Sequence, residues 1–407
     1  MKNLAIFGGP KTLDTELAVP WPVDRQKDMD GLLAVANQKQ QGKNGPAAKG
    51  FEERFAKYNQ VKHCILCANG TVSLELILKA LEIGRGDEVI IPAYTFVATA
   101  SSVIYSGATP VFADIEPGTS NMSAESARQK ITPRTKAIIP VYIGGRPADL
   151  DALSTIADEA GVYLIGDAAQ AVGSQWRGKG IGSYGIAASF SCQNTKNLTS
   201  GEGGIITTNN DSLADKIRNM INGGKGADGK YNTTGMSNGI SEWQAAILNS
   251  QMDSLDEQIS HRMNNAAYLD SLLAEIPCTS PPDKDERITK NSYHLYAFRL
   301  QVEKLQGVTR RKFIQAAEAE LGGRELLSSG YVPLYSYPCL STSFVEKTIG
   351  CKLNLSPLKT VEWLAYHEAL WLGHRTLLSE KPVIKAIADA ISKVYNNLDE
   401  LREEGQK

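Results

Sequence analysis

The stretch His63-Cys64-Ile65-Leu66-Cys67-Ala68-Asn69-Gly70-Thr71-Val72-Ser73-Leu74-Glu75-Leu76-Ile77-Leu78-Lys79-Ala80-Leu81 carries the fold in miniature. Its first five residues read as a short buried strand. Leu74, Ile77, Leu78 and Leu81 then recur at i, i+3, i+4 and i+7, the spacing of one helix face. Asn69-Gly70-Thr71 is the turn between them. The same rhythm continues outward: strands at 87–91, 109–113, 137–142 and 162–165, helices at 95–105 and 149–160. Strands alternating with helices of this length predict βαβ units and a mostly parallel sheet. Runs such as Ala137-Ile138-Ile139 suit strands covered on both faces.

The rhythm changes after about Gly182. Strands at 187–192 and 204–207 flank the Gly-rich Ser200-Gly201-Glu202-Gly203-Gly204. Residues 208–240 are polar and read as loops. A long amphipathic helix over 241–262 leads to a smaller unit with a strand at 293–301 and helices near 310–321, 360–370 and 382–401. Residues 1–50, broken by Pro10, Pro20, Pro22 and Pro46, read as an irregular arm with one helix at 27–37. The expected division is an arm (1–50), a large domain (51–250) and a small C-terminal domain (251–407).

Composition excludes several classes. The 407 residues carry 43 Lys+Arg against 45 Asp+Glu, a net charge of −2 that gives no electrostatic basis for nucleic-acid binding. No apolar run reaches the roughly 18 residues of a membrane helix. The N-terminus lacks a signal-peptide core. A soluble cytoplasmic protein is expected. Six Cys in so long a chain indicate no disulfide framework. Cys64 and Cys67 have CxxC spacing, but on a strand i and i+3 face opposite sides, so they read as two buried thiols. The five His show no metal-ligand spacing.

In open α/β sheets ligands sit at the carboxyl ends of the strands, so the segments after strands are where chemistry is sought. Asn69-Gly70-Thr71 opens a helix, where free N–H groups favour an anion such as phosphate; an ordinary cap is the plainer reading. Asp167 ends an apolar strand and is an N-cap or a buried acid awaiting a partner. Lys196, between a strand and the Gly-rich turn, is a surface lysine or a desolvated nucleophile. Phe96 is core or a platform for a planar ring. One ligand would use all four: a phosphorylated, aldehyde-bearing pyridine, pyridoxal phosphate, with a Lys partner and an acid for its ring nitrogen.

From about Gly50 to Leu398 the sequence resembles the DegT/DnrJ/EryC1/StrS family of sugar and cyclitol aminotransferases. The motifs are Asn69-Gly70-Thr71, Pro92-Ala93-Tyr94-Thr95-Phe96-Val97-Ala98-Thr99, Thr132-Pro133-Arg134-Thr135-Lys136, Asp167-Ala168-Ala169-Gln170-Ala171 and Lys196-Asn197-Leu198-Thr199-Ser200-Gly201-Glu202-Gly203-Gly204. The resemblance implies pyridoxal 5′-phosphate as cofactor. It also implies an α/β, fold-type I (aspartate aminotransferase-like) architecture with a mostly parallel large domain and a smaller C-terminal α+β domain. Lys196 matches the lysine that holds the cofactor and moves protons. Asp167 matches the carboxylate at the ring nitrogen, Gln170 the residue near the ring hydroxyl, and Phe96 the stacked aromatic. Gly70, Thr71 and Ser191 match phosphate contacts. Lysine at 196 argues against the dehydratase branch, where His stands.

The nearest subfamilies are the scyllo-inosose-type aminotransferases and the 3-amino-5-hydroxybenzoate synthases, through 255–259, 292–294 and 371–378. That places His374 near the substrate and Tyr335 at the same mouth. The implied reaction moves an amino group from L-glutamine or L-glutamate to a keto-cyclitol or keto-sugar, as in antibiotic biosynthesis. The implied assembly is a homodimer with its active site at the subunit interface. Many members have His where this chain has Tyr142 and Val172. Their Gly-x-Asn-x-Arg run becomes Gly235-Met236-Ser237-Asn238-Gly239, with Ser237 for Asn, Gly239 for Arg, and Asn238 displaced by one. In the family that Asn reaches the phosphate of the partner subunit's cofactor, a role left here to Ser237 or Asn238. Two rivals remain: an aminodehydratase acting on an aminoshikimate-like substrate, and a cofactor-binding subunit that does not transaminate.

Overall fold

The computed structural model describes residues 2–13, 21–39 and 41–403. Seven strands form the central sheet, in the spatial order His63–Cys67, Gly204–Thr208, Ala187–Ser191, Tyr163–Asp167, Thr135–Ile138, Glu88–Pro92 and Thr109–Ala113. Gly204–Thr208 runs antiparallel to both neighbours, and the remaining pairs are parallel. Successive residues feed opposite faces, as the pleat requires. Ile65, Cys67, Val89, Ile91, Ile165 and Ile206 join one apolar layer. Cys64, Leu66, Ile90, Leu164 and Ile205 join the other. The two cysteines of the CxxC thus point to opposite sides, and both are free thiols.

A four-stranded antiparallel sheet, ordered Thr279–Ser280, Leu295–Leu300, Ala369–Gly373 and Leu327–Ser328, forms the second unit. Helices Leu255–Leu273, Arg310–Glu320 and Lys381–Asn396 supply its apolar layer through Leu269, Phe313 and Ile387. Leu4 and Leu13 of the N-terminal segment are buried in that same layer.

Several elements depart from expectation, among them the helix expected over 382–401, which is two, Lys381–Asn396 and Leu398–Glu403. The polar stretch 208–240 holds a helix, Asp211–Ile221, capped by the Asn210 side chain and buried only through Leu213, Ala214, Ile217 and Ile221. The helix expected over 241–262 is two, Glu242–Met252 and Leu255–Leu273, separated at Asp253-Ser254. The helix expected over 360–370 stops at Trp363 and passes through a π turn at Leu364–Glu368. It gives way to the strand Ala369–Gly373, whose Leu370 and Leu372 face one layer and Ala369 and Trp371 the other. The helix expected from Thr95 begins at Ala98, leaving Thr95-Phe96-Val97 as an irregular edge.

Glu320 ties the N-terminal segment down. Its fully buried carboxylate accepts from the Ala5 N–H (2.7 Å), the Thr12 hydroxyl (2.9 Å) and the Lys393 ammonium (2.7 Å). Glu320→Ala strands these three donors and should cost about 3 kcal/mol. The expected readout is a lower urea midpoint with faster proteolytic clipping within residues 2–13.

Candidate active site

A cavity of about 1590 Å³ opens where the carboxyl ends of the parallel strands meet the second sheet. Asn69, Gly70, Thr71, Thr95, Phe96, Thr99, Asp167, Gln170, Ser191 and Lys196 line it from the large sheet, each lying on or after a strand end. His294, Tyr331, Trp371 and His374 face them from the other side.

At one end of the cavity Gly70 and Thr71 begin the helix Gly70–Ala80, capped by the Asn69 side chain, which accepts from Val72 N–H at 2.9 Å. The first helical N–H groups have no partner within the helix. Ser191 sits against this turn. A Cβ on Gly70 would lie 2.9 Å from the Ser191 Cβ, so only glycine permits that approach. Gly204 is needed for the same reason: a Cβ there would lie 2.3 Å from the Asn69 carbonyl oxygen. The result is a compact nest of backbone donors and a hydroxyl, suited to a phosphate.

Asp167 is 4% exposed. Its carboxylate accepts from the Thr99 hydroxyl at 2.8 Å and from Ala169 N–H at 3.2 Å. Burial pushes its pKa up, against those two hydrogen bonds and the charge of Lys196. Lys196 shows the mirror effect: burial pushes its pKa down, and Asp167 pulls it back. The two groups sense each other yet form no ion pair. The carboxylate keeps lone pairs for another donor, and the amine is drawn toward its neutral, nucleophilic form.

Phe96 is 58% exposed and lines the cavity, so it is a platform and not core. Gln170 is held at both ends, its Oε1 accepting from Gly144 N–H (2.7 Å) and its Nε2 donating to the Tyr331 hydroxyl (2.8 Å).

His374 lines the cavity between two rings: Trp21 edge-on at 4.4 Å and His294 stacked at 5.6 Å between centroids. Tyr335 is placed elsewhere. It is buried against Phe112, and its hydroxyl accepts from Leu358 N–H at 3.1 Å, so it belongs to the apolar layer. The tyrosine at the mouth is Tyr331, four residues earlier. Ser237 and Asn238 do not line this chain's cavity: the Ser237 hydroxyl accepts from Lys43 (2.7 Å), and the Asn238 carbonyl accepts from Ala68 N–H (2.7 Å). Tyr142 and Val172 lie in an apolar layer, with Tyr142 against Gly166. Thr99, His294, Tyr331 and Trp21 escaped the sequence reading. Thr99 closes the Pro92–Thr99 motif, His294 ends the 292–294 stretch and Tyr331 lies four residues before Tyr335, while Trp21 had no signal.

These groups fit pyridoxal phosphate. The anion nest, the platform at Phe96, the buried acid and the depressed amine all border one cavity, and the gap between Asp167 and Lys196 is unbridged. Among the described residues no cluster of His, Cys, Asp or Glu could hold a metal, and no helix is long and apolar enough to cross a membrane.

Comparison with known proteins agrees. The sequence model of the DegT/DnrJ/EryC1/StrS aminotransferase family matches residues 23–391. The L-glutamine:2-deoxy-scyllo-inosose aminotransferase of Streptoalloteichus tenebrarius is 35% identical, covering 94% of this chain and 96% of that protein. Two solved structures are similar. One is DesI in the presence of its TDP-sugar product, with TM-score 0.84, 30% identity, and 100% of this chain and 99% of that one covered. The other is 3-amino-5-hydroxybenzoic acid synthase, with TM-score 0.82, 28% identity, and 92% and 97% covered.

The opposed shifts predict how the amine titrates. In cofactor-free protein, acetylation of Lys196 should show a midpoint below the ordinary lysine range. Asp167→Asn removes the carboxylate that pulls the pKa back up, so the midpoint should fall further. Peptide mass spectrometry across a pH series checks both.

Proposed function

The chain belongs to the DegT/DnrJ/EryC1/StrS aminotransferase family, and from that premise we propose that it moves the amino group of L-glutamine to a ring ketone of a hydroxylated cyclitol. It is an aminotransferase, its architecture is that of the fold-type I enzymes, and its cofactor is pyridoxal 5′-phosphate. The donor and acceptor are inferred from the scyllo-inosose aminotransferases it resembles. One observation carries the chemistry: Lys196 and Asp167, both desolvated, border one cavity without neutralising each other.

Bound there, pyridoxal phosphate supplies a reversible carrier for the amino group and an electron sink for the substrate carbon. The chain's residues do the rest. Gly70, Thr71 and Ser191 would hold the phosphate, and Phe96 would support the ring face. Asp167, oriented by Thr99 and Ala169, would hold the proton on the ring nitrogen. Lys196 Nζ takes the proton from the α-carbon of the amino donor, and in the second half-reaction it serves the acceptor carbon in the opposite direction. Burial, which pushes its pKa down against the pull of Asp167, favours the neutral amine that this step needs.

The test is direct. Purified protein with pyridoxal phosphate, L-glutamine and 2-deoxy-scyllo-inosose should yield the amino-cyclitol, followed by mass spectrometry. Lys196→Ala should lower turnover by at least about 10⁴-fold. Wild-type turnover in that variant would remove Lys196 from its role. An aromatised product from an aminoshikimate-like substrate, with none from the cyclitol, would favour the aminodehydratase rival. No product from any ketone would favour the subunit that does not transaminate.

We also propose a homodimer in which the loop carrying Ser237 and Asn238 completes the partner's cavity. What supports this is that both residues lie outside the cavity of their own chain, while nearby Tyr231 and Met236 are largely exposed. Light scattering should give twice the chain mass. Mixing Lys196→Ala chains with chains altered at both Ser237 and Asn238 should restore activity that neither has alone. A monomeric mass at working concentration would end this reading.

A further inference from the structure

Arg262 is the anomaly of the second unit. It lies on the helix Leu255–Leu273 and is completely buried, yet among the described residues no carboxylate pairs with it. Its neighbours are neutral: Gln258 Oε1 at 3.3 Å, the His374 carbonyl at 3.4 Å, His374 Nδ1 at 3.3 Å and the Trp21 ring at 5.7 Å. Nη1 has no partner. Burial holds its pKa down to about 9. A desolvated guanidinium is expensive, and an apolar side chain of similar bulk would serve packing better. The arrangement points to a task beyond packing.

The geometry around it supplies one. A guanidinium only donates, so Nδ1 of His374 must be the acceptor, which puts the ring proton on Nε2. Burial, then the charges of Arg262, Arg375 and Lys196, push the pKa of this imidazole well down and favour its neutral form. Trp21 packs edge-on against the same ring and donates its indole N–H to the Asn194 carbonyl at 3.0 Å. Trp21, backed by the His374 ring of the second unit, therefore holds the backbone two residues before Lys196. From within, Lys196 N–H donates to the Gln193 carbonyl at 2.8 Å.

We propose that Arg262 is a positioning residue for Lys196: its guanidinium fixes the His374 imidazole in one tautomer, and His374 in turn backs Trp21, whose indole N–H clamps the Asn194 carbonyl two residues before Lys196. The inference rests on the assignment of Lys196 as the reacting amine. It reassigns His374 from substrate contact to clamp, and it gives the N-terminal segment a part in the reaction without touching substrate.

The test uses the full chain and two variants. Trp21→Phe keeps a ring against His374 and deletes only the donor to Asn194. Arg262→Met keeps the buried bulk and deletes the charge. Each should lower kcat about 10- to 100-fold, with the KM for L-glutamine within about twofold of wild type. Each should also change the acetylation rate of Lys196 relative to surface lysines in cofactor-free protein, while Trp21→Phe keeps the wild-type thermal midpoint. Nitrogen-15 spectra should show His374 protonated at Nε2 in wild type and as a tautomer mixture in Arg262→Met. Wild-type kcat together with wild-type Lys196 labelling in Trp21→Phe would overturn the clamp, whether or not Arg262→Met folds. Altered labelling and tautomer in a protein that transaminates nothing would leave the clamp standing and sink the functional reading instead.

Discussion

Asp167 is buried and Lys196 half-buried against one cavity, and they are not allowed to meet. In a hydrated site each would keep its ordinary charge, and in direct contact they would neutralise one another as an ion pair. Held apart in a desolvated cavity, the acid is pushed toward its protonated form and the amine toward its free base. That frustration persists only because the surroundings over-determine it. The carboxylate is pinned by Thr99 and Ala169 at the end of the strand Tyr163–Asp167. The lysine is pinned by a backbone turn after the strand Ala187–Ser191, its immediate neighbour in the sheet. Parallel pairing of adjacent strands is what sets the separation, so the central sheet is the ruler of the site.

How much of this was legible in the sequence follows from what each element buries. Strands covered on both faces leave continuous apolar runs, and His63–Cys67 and Thr109–Ala113 fall where the sequence placed them. The helix Asp211–Ile221 buries one narrow stripe and reads as polar loop. The strand Ala369–Gly373 follows straight from a helical turn with no breaking residue between, so nothing local marked the change of period. At the site, Asp167, Lys196 and Gly70 were legible because they follow strands in a recurring order. Tyr331 and Tyr335 lie on one short segment, and only the packing decides which of them turns toward the cavity. Trp21 and Arg262 act across more than a hundred residues of chain, a relation no local pattern records.

The departures from the family pattern sort by place. Tyr142 and Val172 are absorbed into an apolar layer, where bulk matters and imidazole chemistry would be wasted. Tyr142 covers the glycine at 166, and among the described residues its hydroxyl has no hydrogen-bond partner, a sign that the ring is kept for its volume. Ser237 and Gly239 lie at the surface against Lys43, whose ammonium donates to the Ser237 hydroxyl and whose stem fills the space a side chain at 239 would take. A cation from the N-terminal region thus stands beside the position where the family carries arginine.

That substitution and the clamp share a direction. In both places a residue from the first fifty comes to stand beside a functional loop of the large sheet: Lys43 at the 237–239 loop, Trp21 at the turn before Lys196. Glu320 of the second unit holds Ala5 and Thr12, Trp21 packs against His374 of the same unit, and Arg262 belongs to it too. The turn bearing Lys196 is therefore gripped by parts of the chain that are themselves joined. A change in how Trp21 sits on the second unit would reach the amine through the hydrogen bond at Asn194. The large sheet fixes where the acid and the amine stand, and the second unit, through the clamp, fixes which way the amine can point.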